Sequence, residues 1–148
     1  MRHSRRVGRY RYLEDVAIAD CAIELEGGDL DDLFATAAAA LAAVMVDPAT
    51  VPVTCKRRLA LEAETRDLLL FDWLGELIFR KDRDGEVFPV ADVTVAGDGP
   101  YRLDAVVRGA PLDPAHMELR NDPKAVTLHA LALDSSERGW RARVVIDL

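Results

Sequence analysis

The stretch over residues 66–81 carries apolar side chains on most sides of a predicted helix. Its apolar members are Leu68, Leu69, Leu70, Phe71, Trp73, Leu74, Leu77, Ile78 and Phe79. A helix that is hydrophobic nearly all round is largely buried, so other elements of the chain have to cover it. Thr65 is placed to cap its first turn, and residues 82–85 predict a turn at its end.

A second helical pattern lies earlier in the chain, and the remainder alternates as strands do. Leu33, Phe34, Ala37 and Leu41 fall on one stripe of a helix predicted over residues 30–45. The predicted strands cover residues 10–25, 51–62, 87–95, 101–108, 125–133 and 140–148, and turn residues join the last four into two hairpins. Two helices between groups of strands favour an α+β fold, in which two helices pack on antiparallel or mixed β-sheet.

The length of 148 residues fits one domain. We expect a basic, flexible arm over residues 1–8 and a single domain over residues 9–148. Residues 1–11 hold five arginines and no acid, which leaves 14 basic and 26 acidic residues for the remainder. An acidic body of this kind does not attract a phosphate backbone, so charge argues against a nucleic-acid-binding protein. The arm is either solvated or touches RNA or an acidic partner.

Two further features concern the compartment. No apolar run approaches the roughly 18 residues of a membrane span, and no signal-peptide pattern opens the chain. The two cysteines, Cys21 and Cys55, cannot make a disulfide framework. We therefore expect a cytoplasmic, thiol-reduced protein with no membrane partner.

The last predicted strand carries an acid near its end. The period of two places Asp147 on the face of Arg141 and Arg143, and it places Asp20 on the polar face of the first strand. If the two strands pair, the two carboxylates could meet, and clustered carboxylates repel unless a proton or a hard cation such as Ca²⁺ or Mg²⁺ intervenes. The strand pattern runs to Leu148, which predicts a docked end with its carboxylate held in place. Periodicity alone leaves the alternative that both acids are solvated.

Six segments, taken in order, carry a family pattern. They are Tyr-Leu-Glu (12–14) with Ala-Asp-Cys-Ala-Ile (19–23), the helix over 30–45 with Val-Met-Val-Asp (44–47) at its end, Asp-Trp-Leu-Gly-Glu-Leu (72–77), Gly-Ala-Pro-Leu-Asp-Pro-Ala-His-Met-Glu (109–118), Lys-Ala-Val-Thr-Leu-His (124–129) and Trp-Arg-Ala-Arg-Val-Val-Ile-Asp-Leu (140–148). Each motif is weak alone. Their order and spacing resemble the archease family over nearly everything from Arg9 onward.

The first motif departs from the family's pattern. The run over residues 14–20 is two residues longer than in the family and lacks the family's histidine. Asp15 or Asp20 is the matching acid, and Asp20 fits better because Ala19 precedes it and Ala22 follows it. Pro123, just before the motif that starts at residue 124, is a second departure.

The resemblance implies an archease-like domain that is not itself an enzyme. Archease proteins are cofactors of RtcB-type RNA ligases, which join RNA 2′,3′-cyclic phosphate ends to 5′-hydroxyl ends through a guanylylated histidine of the ligase. The implied role is to promote that guanylylation and multiple turnover in tRNA splicing or RNA repair. The implied partner is the ligase, and tRNA or other RNA is contacted only indirectly.

The resemblance also implies a divalent-metal site and no catalytic residue. Calcium is the first expectation, with magnesium or manganese as alternatives. Carried over residue by residue, the ligands are Asp20, Asp147 and Leu148. The rival interpretation of the two acids is an exposed pair bridged by arginines such as Arg143.

Four more residues are candidates beside that site. Lys124 and His129 could contact the partner or its nucleotide, or they could be a strand-end cap and a histidine on a sheet face. Asp72 and Glu76 could support the site, or they could form a polar stripe on a buried helix, with Glu76 paired to Arg80 at i+4.

Two other function classes stay open. A small metal-dependent phosphoesterase could use carboxylates and a cation to activate water, although the sequence offers no obvious general base or second metal set. A chaperone or modulator of a tRNA-modifying enzyme would bind partners other than the ligase.

Overall fold

A computed structural model describes residues 8–13 and 20–148 as two β-sheets and two helices. The helices are α1 (Leu30–Met45) and α2 (Arg66–Asp84), and a 3-10 turn covers Pro48–Thr50. The strands are β1 (Arg9–Leu13), β2 (Asp20–Gly27), β3 (Cys55–Ala63), β4 (Glu86–Gly97), β5 (Tyr101–Pro111), β6 (Ala125–Ser136) and β7 (Gly139–Asp147). Residues 1–7 of the expected arm, and Asp15, lie outside the described residues.

The first sheet has the strand order β1-β2-β7-β6 and the second has the order β3-β5-β4. All of the pairings within these two sheets are antiparallel. Both predicted hairpins form, since β4 pairs with β5 and β6 pairs with β7. The α+β prediction is confirmed, and its antiparallel form is the one observed.

The two helices connect the two sheets around one core. Each helix contacts strands of both sheets: α1 touches β2 and β4, while α2 touches β6 and β3. The helices meet where Trp73, which is fully buried, donates from Nε1 to the carbonyl oxygen of Phe34 at 2.9 Å. The Trp73 indole therefore buries a large apolar surface while its one polar atom is satisfied.

The ends of both helices follow from local chemistry. Asp29 accepts a hydrogen bond from the main-chain N–H of Asp32 at the start of α1, and Thr65 accepts one from Leu68 at the start of α2. The predicted turn over residues 82–85 is wrong, because α2 continues to Asp84. The helix ends at Gly85, whose φ of 69° is a left-handed conformation that glycine adopts readily.

Two predicted strands also differ from the structure. The strand expected over residues 10–25 is two strands, β1 and β2, which pair with each other in antiparallel fashion. The strand expected from residue 51 begins at Cys55, after the 3-10 turn and Pro52. A proline supplies no main-chain N–H to a strand ladder, so pairing there is disfavoured. Among the described helices, none has the length and apolarity that a membrane crossing requires.

Candidate functional site

Asp20 and Asp147 lie directly opposite each other in the first sheet. β2 and β7 pair from Asp20–Asp147 at one end to Gly27–Trp140 at the other. Directly opposed residues project from the same face, with their Cβ atoms about 4.5–5.5 Å apart. The structure thus brings together the two acids that strand alternation selected, and both are half-buried.

The sequence positions these acids by alternation along β7. Ala142, Val144 and Ile146 are buried against the helices, so Asp147 faces the other side of the sheet. Val145 shares that outer side and is nevertheless only 1% exposed. A strict period of two predicts that Val145 is exposed, so for this residue the alternation predicts the wrong environment.

Among residues 8–13 and 20–148, no arginine bridges the acid pair. Arg143 lies opposite Glu24, four residues along β7 from Asp147. Within the described residues, the side chains of Asp20 and Asp147 take part in no hydrogen bond or ion pair. We call this pair of opposed acids, with Leu148 next to it, the acid end of the first sheet. Opposed like charges destabilise a sheet by a few tenths of a kcal/mol to about 1 kcal/mol.

The main chain beside the acid end is fixed by β6. The N–H of Lys124 donates to the carbonyl oxygen of Asp147 at 2.7 Å, and Ala125 is the register partner of Asp147. The side chain of Leu148 packs against the core, so the residue after Asp147 is held as well. Lys124 itself is exposed and lies next to the acid end.

His129 lies in an irregular part of β6. The register with β7 shifts between Thr127 and Ala132, and the residues between them bulge from the ladder. Ala130 has a φ of 58°, a left-handed conformation that costs a non-glycine residue roughly 1–2 kcal/mol. His129 is exposed on this bulge, so it is accessible to a partner and is not a histidine held within a regular sheet face.

Asp72 and Glu76 do not contact the acid pair. Glu76 accepts a hydrogen bond from Arg80 at 2.9 Å, which is the i+4 pairing that the helical spacing predicts. Asp72 is exposed on α2. The arrangement favours the polar-stripe interpretation for Glu76 and leaves Asp72 without a contact to the site.

The donor types at the acid end fit a hard cation in part. Within the described ranges, no group of three or more His, Cys, Asp or Glu side chains could hold a metal ion. Within that part of the chain, the acid end supplies two carboxylate side chains, and main-chain oxygens and the terminal carboxylate are further candidate ligands. Ca²⁺ takes six to eight oxygen ligands and accepts carboxylates, carbonyls and water, so two acids can form part of its shell.

The other titratable side chains make local contacts. His116 is exposed and bonds Asp113 at 2.6 Å, and this bond lowers the pKa of the Asp113 carboxyl. Burial raises the pKa of the Cys21 and Cys55 thiols, which are free cysteines. Both thiols are therefore poor nucleophiles near neutral pH, in line with their interpretation as small apolar residues.

One residue near the acid end escaped the sequence analysis. Lys81 is 8% exposed and donates to the carbonyl oxygen of Pro123, so it holds a residue that precedes β6. The signal was present, because Leu70, Leu74, Leu77 and Lys81 share one helical stripe. A lysine on a buried stripe has to find partners.

A groove of about 770 Å³ lies at the opposite end of β2 and β7. It is lined by Arg9, Glu26, Gly27, Gly28, Ser136, Glu137, Arg138, Trp140 and Arg141. None of the site residues expected from the sequence lines this groove. The acid end lies at the other end of this ladder, where Asp20 and Asp147 are half-buried.

Comparison with known proteins places these features in a family. Residues 10–148 match the model of the Archease protein family (MTH1598/TM1083). The chain is 34% identical over 131 residues to "Protein archease" of Methanothermobacter thermautotrophicus, which covers 88% of this chain and 93% of that protein. It is 32% identical over 143 residues to "Protein archease" of Methanosarcina acetivorans, with 95% and 96% covered.

Two solved structures are similar to this one. The solution structure of protein 1598 from Methanobacterium thermoautotrophicum has a TM-score of 0.77 and 31% identity, covering 94% of this chain and 98% of that chain. A crystal structure described as an archease and possible chaperone, from Thermotoga maritima, has a TM-score of 0.64 with 100% of both chains covered. At 19% identity, the second supports the shared fold alone.

Proposed function

This chain belongs to the archease family, and from that membership we propose that it is a non-catalytic protein cofactor of an RtcB-type RNA ligase. In this proposal it promotes guanylylation of the ligase and multiple turnover during tRNA splicing or RNA repair in the cytoplasm. RNA is contacted indirectly, through the ligase.

The observation that supports the proposal is the register of β2 and β7. Asp20 and Asp147 are directly opposed at the end of the first sheet, without a basic partner among the described residues. Two carboxylates at this spacing suit a divalent cation, since the ion removes their mutual repulsion. We propose Asp20 and Asp147 as ligands, with Leu148 contributing its carboxylate.

Calcium is the proposed ion, and magnesium or manganese are the alternatives. A bound cation would supply a fixed positive charge at the surface that meets the ligase. The chain's own contribution is to hold the ligands: the β2–β7 ladder sets the two acids and the Lys124 N–H fixes the Asp147 main chain. The exposed side chains of Lys124, just before β6, and of His129, within β6, are proposed to touch the partner.

The test is a ligation time course with the cognate ligase, excess RNA, GTP and metal. Addition of this protein should convert ligation from a single turnover to multiple turnovers, and Asp20→Ala should abolish that stimulation. Asp104→Ala is the matched control, because Asp104 is an exposed acid on a central strand of the other sheet. Stimulation by Asp20→Ala equal to the unchanged protein would contradict the role of the acid end.

A chaperone role is the second candidate, since the related Thermotoga maritima protein is described as a possible chaperone. That role predicts binding to partners other than the ligase that is unaffected by Asp147→Ala. A phosphoesterase would instead turn over generic phosphoesters alone and would lose that activity with Asp20→Ala.

A further inference from the structure

We propose that Lys81 is a positioning residue for the acid end. It fixes the start of β6 and, through that segment, the main chain of Asp147. The part of this inference that is tested by calcium binding rests on the proposed function, whereas the part that is tested by hydrogen exchange does not.

The first observation is the burial of a charged group. Lys81 lies in the last turn of α2 and is 8% exposed, on the stripe of Leu74 and Leu77 that faces the core. A buried ammonium is expensive unless hydrogen bonds and opposite charges replace its water. The Lys81 side chain can therefore stay charged only if neighbouring polar and charged groups replace its water.

The surroundings are three oxygen groups. The ammonium donates to the carbonyl oxygen of Pro123 at 2.8 Å and pairs with Asp82 at 2.7 Å and with Asp122. Burial by itself lowers the pKa of Lys81, but the hydrogen bonds that the ammonium donates to Asp122 and Asp82 outweigh this effect, and the pKa is raised. Lys81 stays charged, and two consecutive residues ahead of β6 are held by it.

The next link reaches the acid end directly. Lys124 follows Pro123, and its main-chain N–H donates to the carbonyl oxygen of Asp147 at 2.7 Å. Ala125, one residue later, is the register partner of Asp147. Two short contacts in series, Lys81 to Pro123 and Lys124 to Asp147, thus connect the end of α2 to the acid pair.

The contact matters because the Lys81 ammonium is the charged anchor between two main-chain anchors, the Asn121 N–H on the Val44 carbonyl oxygen at 3.0 Å and the Lys124 N–H on Asp147. The side chain of Asp122 is 80% exposed, so water rather than packing surrounds most of it. Without the ammonium, residues 122–124 lose their charged anchor, and the amide that fixes Asp147 becomes free to move. Groups that hold a metal's ligands in place typically change its affinity by about 10-fold to 100-fold when removed.

The experiment compares Lys81→Met with Lys56→Met by amide hydrogen exchange and by calcium titration of the whole protein. Lys56 is an exposed lysine on β3 and serves as the matched control. We expect Lys81→Met to speed exchange of the Lys124 amide by about tenfold or more while the Trp140 amide is unchanged, and to raise the calcium Kd by about tenfold. Lys56→Met should change neither quantity.

A general loss of stability would speed exchange at Trp140 as well, so the pair of amides separates positioning from a merely structural role. If Lys81→Met does not fold, Asp122→Asn removes the charged partner from the exposed side, and it should speed Lys124 exchange by a smaller factor. Unchanged exchange at Lys124 in a folded Lys81→Met or in Asp122→Asn overturns the inference. If the unchanged protein binds no calcium, the metal proposal fails. The exchange rate of the Lys124 amide still tests the positioning role of Lys81.

Discussion

The two ends of the β2–β7 ladder solve the same electrostatic problem in opposite ways. We call the Gly27–Trp140 end of the ladder the arginine end. Here glutamates on β2 face arginines on both neighbouring strands, and Glu26 pairs with Arg9 at 2.7 Å. At the other end, Asp20 faces Asp147 and no basic side chain among the described residues joins them. One end is neutralised by the chain itself, and at the other end the described residues supply no positive charge.

The arginine end is also covered by side-chain packing. The guanidinium of Arg66 lies 4.7 Å from the ring centre of Trp140 and 5.5 Å from that of Tyr101, which joins α2 to both sheets. The comparison teaches that carboxylates on this sheet are normally matched. In the proposed function this unmatched pair binds a cation, so its expected behaviour differs from that of the arginine end in four measurable ways.

The largest expected effect is stabilisation by calcium. At a free calcium concentration of 100 times its Kd, binding should raise the free energy of unfolding by about 2.7 kcal/mol, because only the folded sheet opposes the two acids. Urea unfolding with and without calcium measures this. Asp147→Ala should remove the response, whereas a response that survives this substitution would place the ion elsewhere.

The second largest effect is a loss of stability expected at the arginine end. Trp140→Ala should lower the free energy of unfolding by about 2 kcal/mol, since it removes a half-buried ring and its contact with Arg66. Calcium affinity should stay within about twofold, because Trp140 is at the other end of the ladder from the acids. A tenfold loss of affinity in calcium titration would show that the two ends are coupled.

A third change makes the acid end resemble the arginine end. Asp20→Lys places a cation opposite Asp147 and should raise the free energy of unfolding of the metal-free protein by roughly 0.5 kcal/mol. The same variant should lose its calcium response. Glu24→Lys is the opposite control: it places a lysine between Arg11 and Arg143 and should destabilise the sheet. If both variants changed the free energy of unfolding in the same direction, the proposed electrostatic difference between the two ends would be wrong.

The smallest effect is expected at an exposed ion pair. Arg11→Ala breaks its 3.2 Å contact with Glu24 and should cost no more than about 0.5 kcal/mol, less at high salt. Unfolding at low and at high ionic strength measures this. A cost above 1 kcal/mol, independent of salt, would mean that this arginine does more than pair on the surface.

Strand periodicity was sufficient to place each of the two acids on a polar strand face, because alternation depends only on local order. Alternation placed Asp20 and Asp147 on polar faces, and the resemblance selected the same residues. Pairing of β2 with β7 could not be derived from the sequence, because it joins segments more than 100 residues apart. In the structure both strands pack against α1.

Other features depended on contacts that no local pattern contains. The bulge that carries His129 is a shift between β6 and β7, and the burial of Lys81 depends on the loop at Pro123. The end of α2 was misplaced because the acidic, glycine-containing run over residues 82–85 has turn composition, although only Gly85 leaves the helix. Predictions failed where tertiary contacts override composition.

The most direct test of the central claim is a calcium titration followed residue by residue by amide NMR. We expect the shifts to concentrate at Asp20, Asp147 and Leu148, and we expect the Lys124 amide to shift as well through its hydrogen bond. The amides of Gly27 and Trp140 at the arginine end should not move. Shifts centred on any other part of the molecule, or none at millimolar calcium, would contradict the claim that the opposed acids form a cation site.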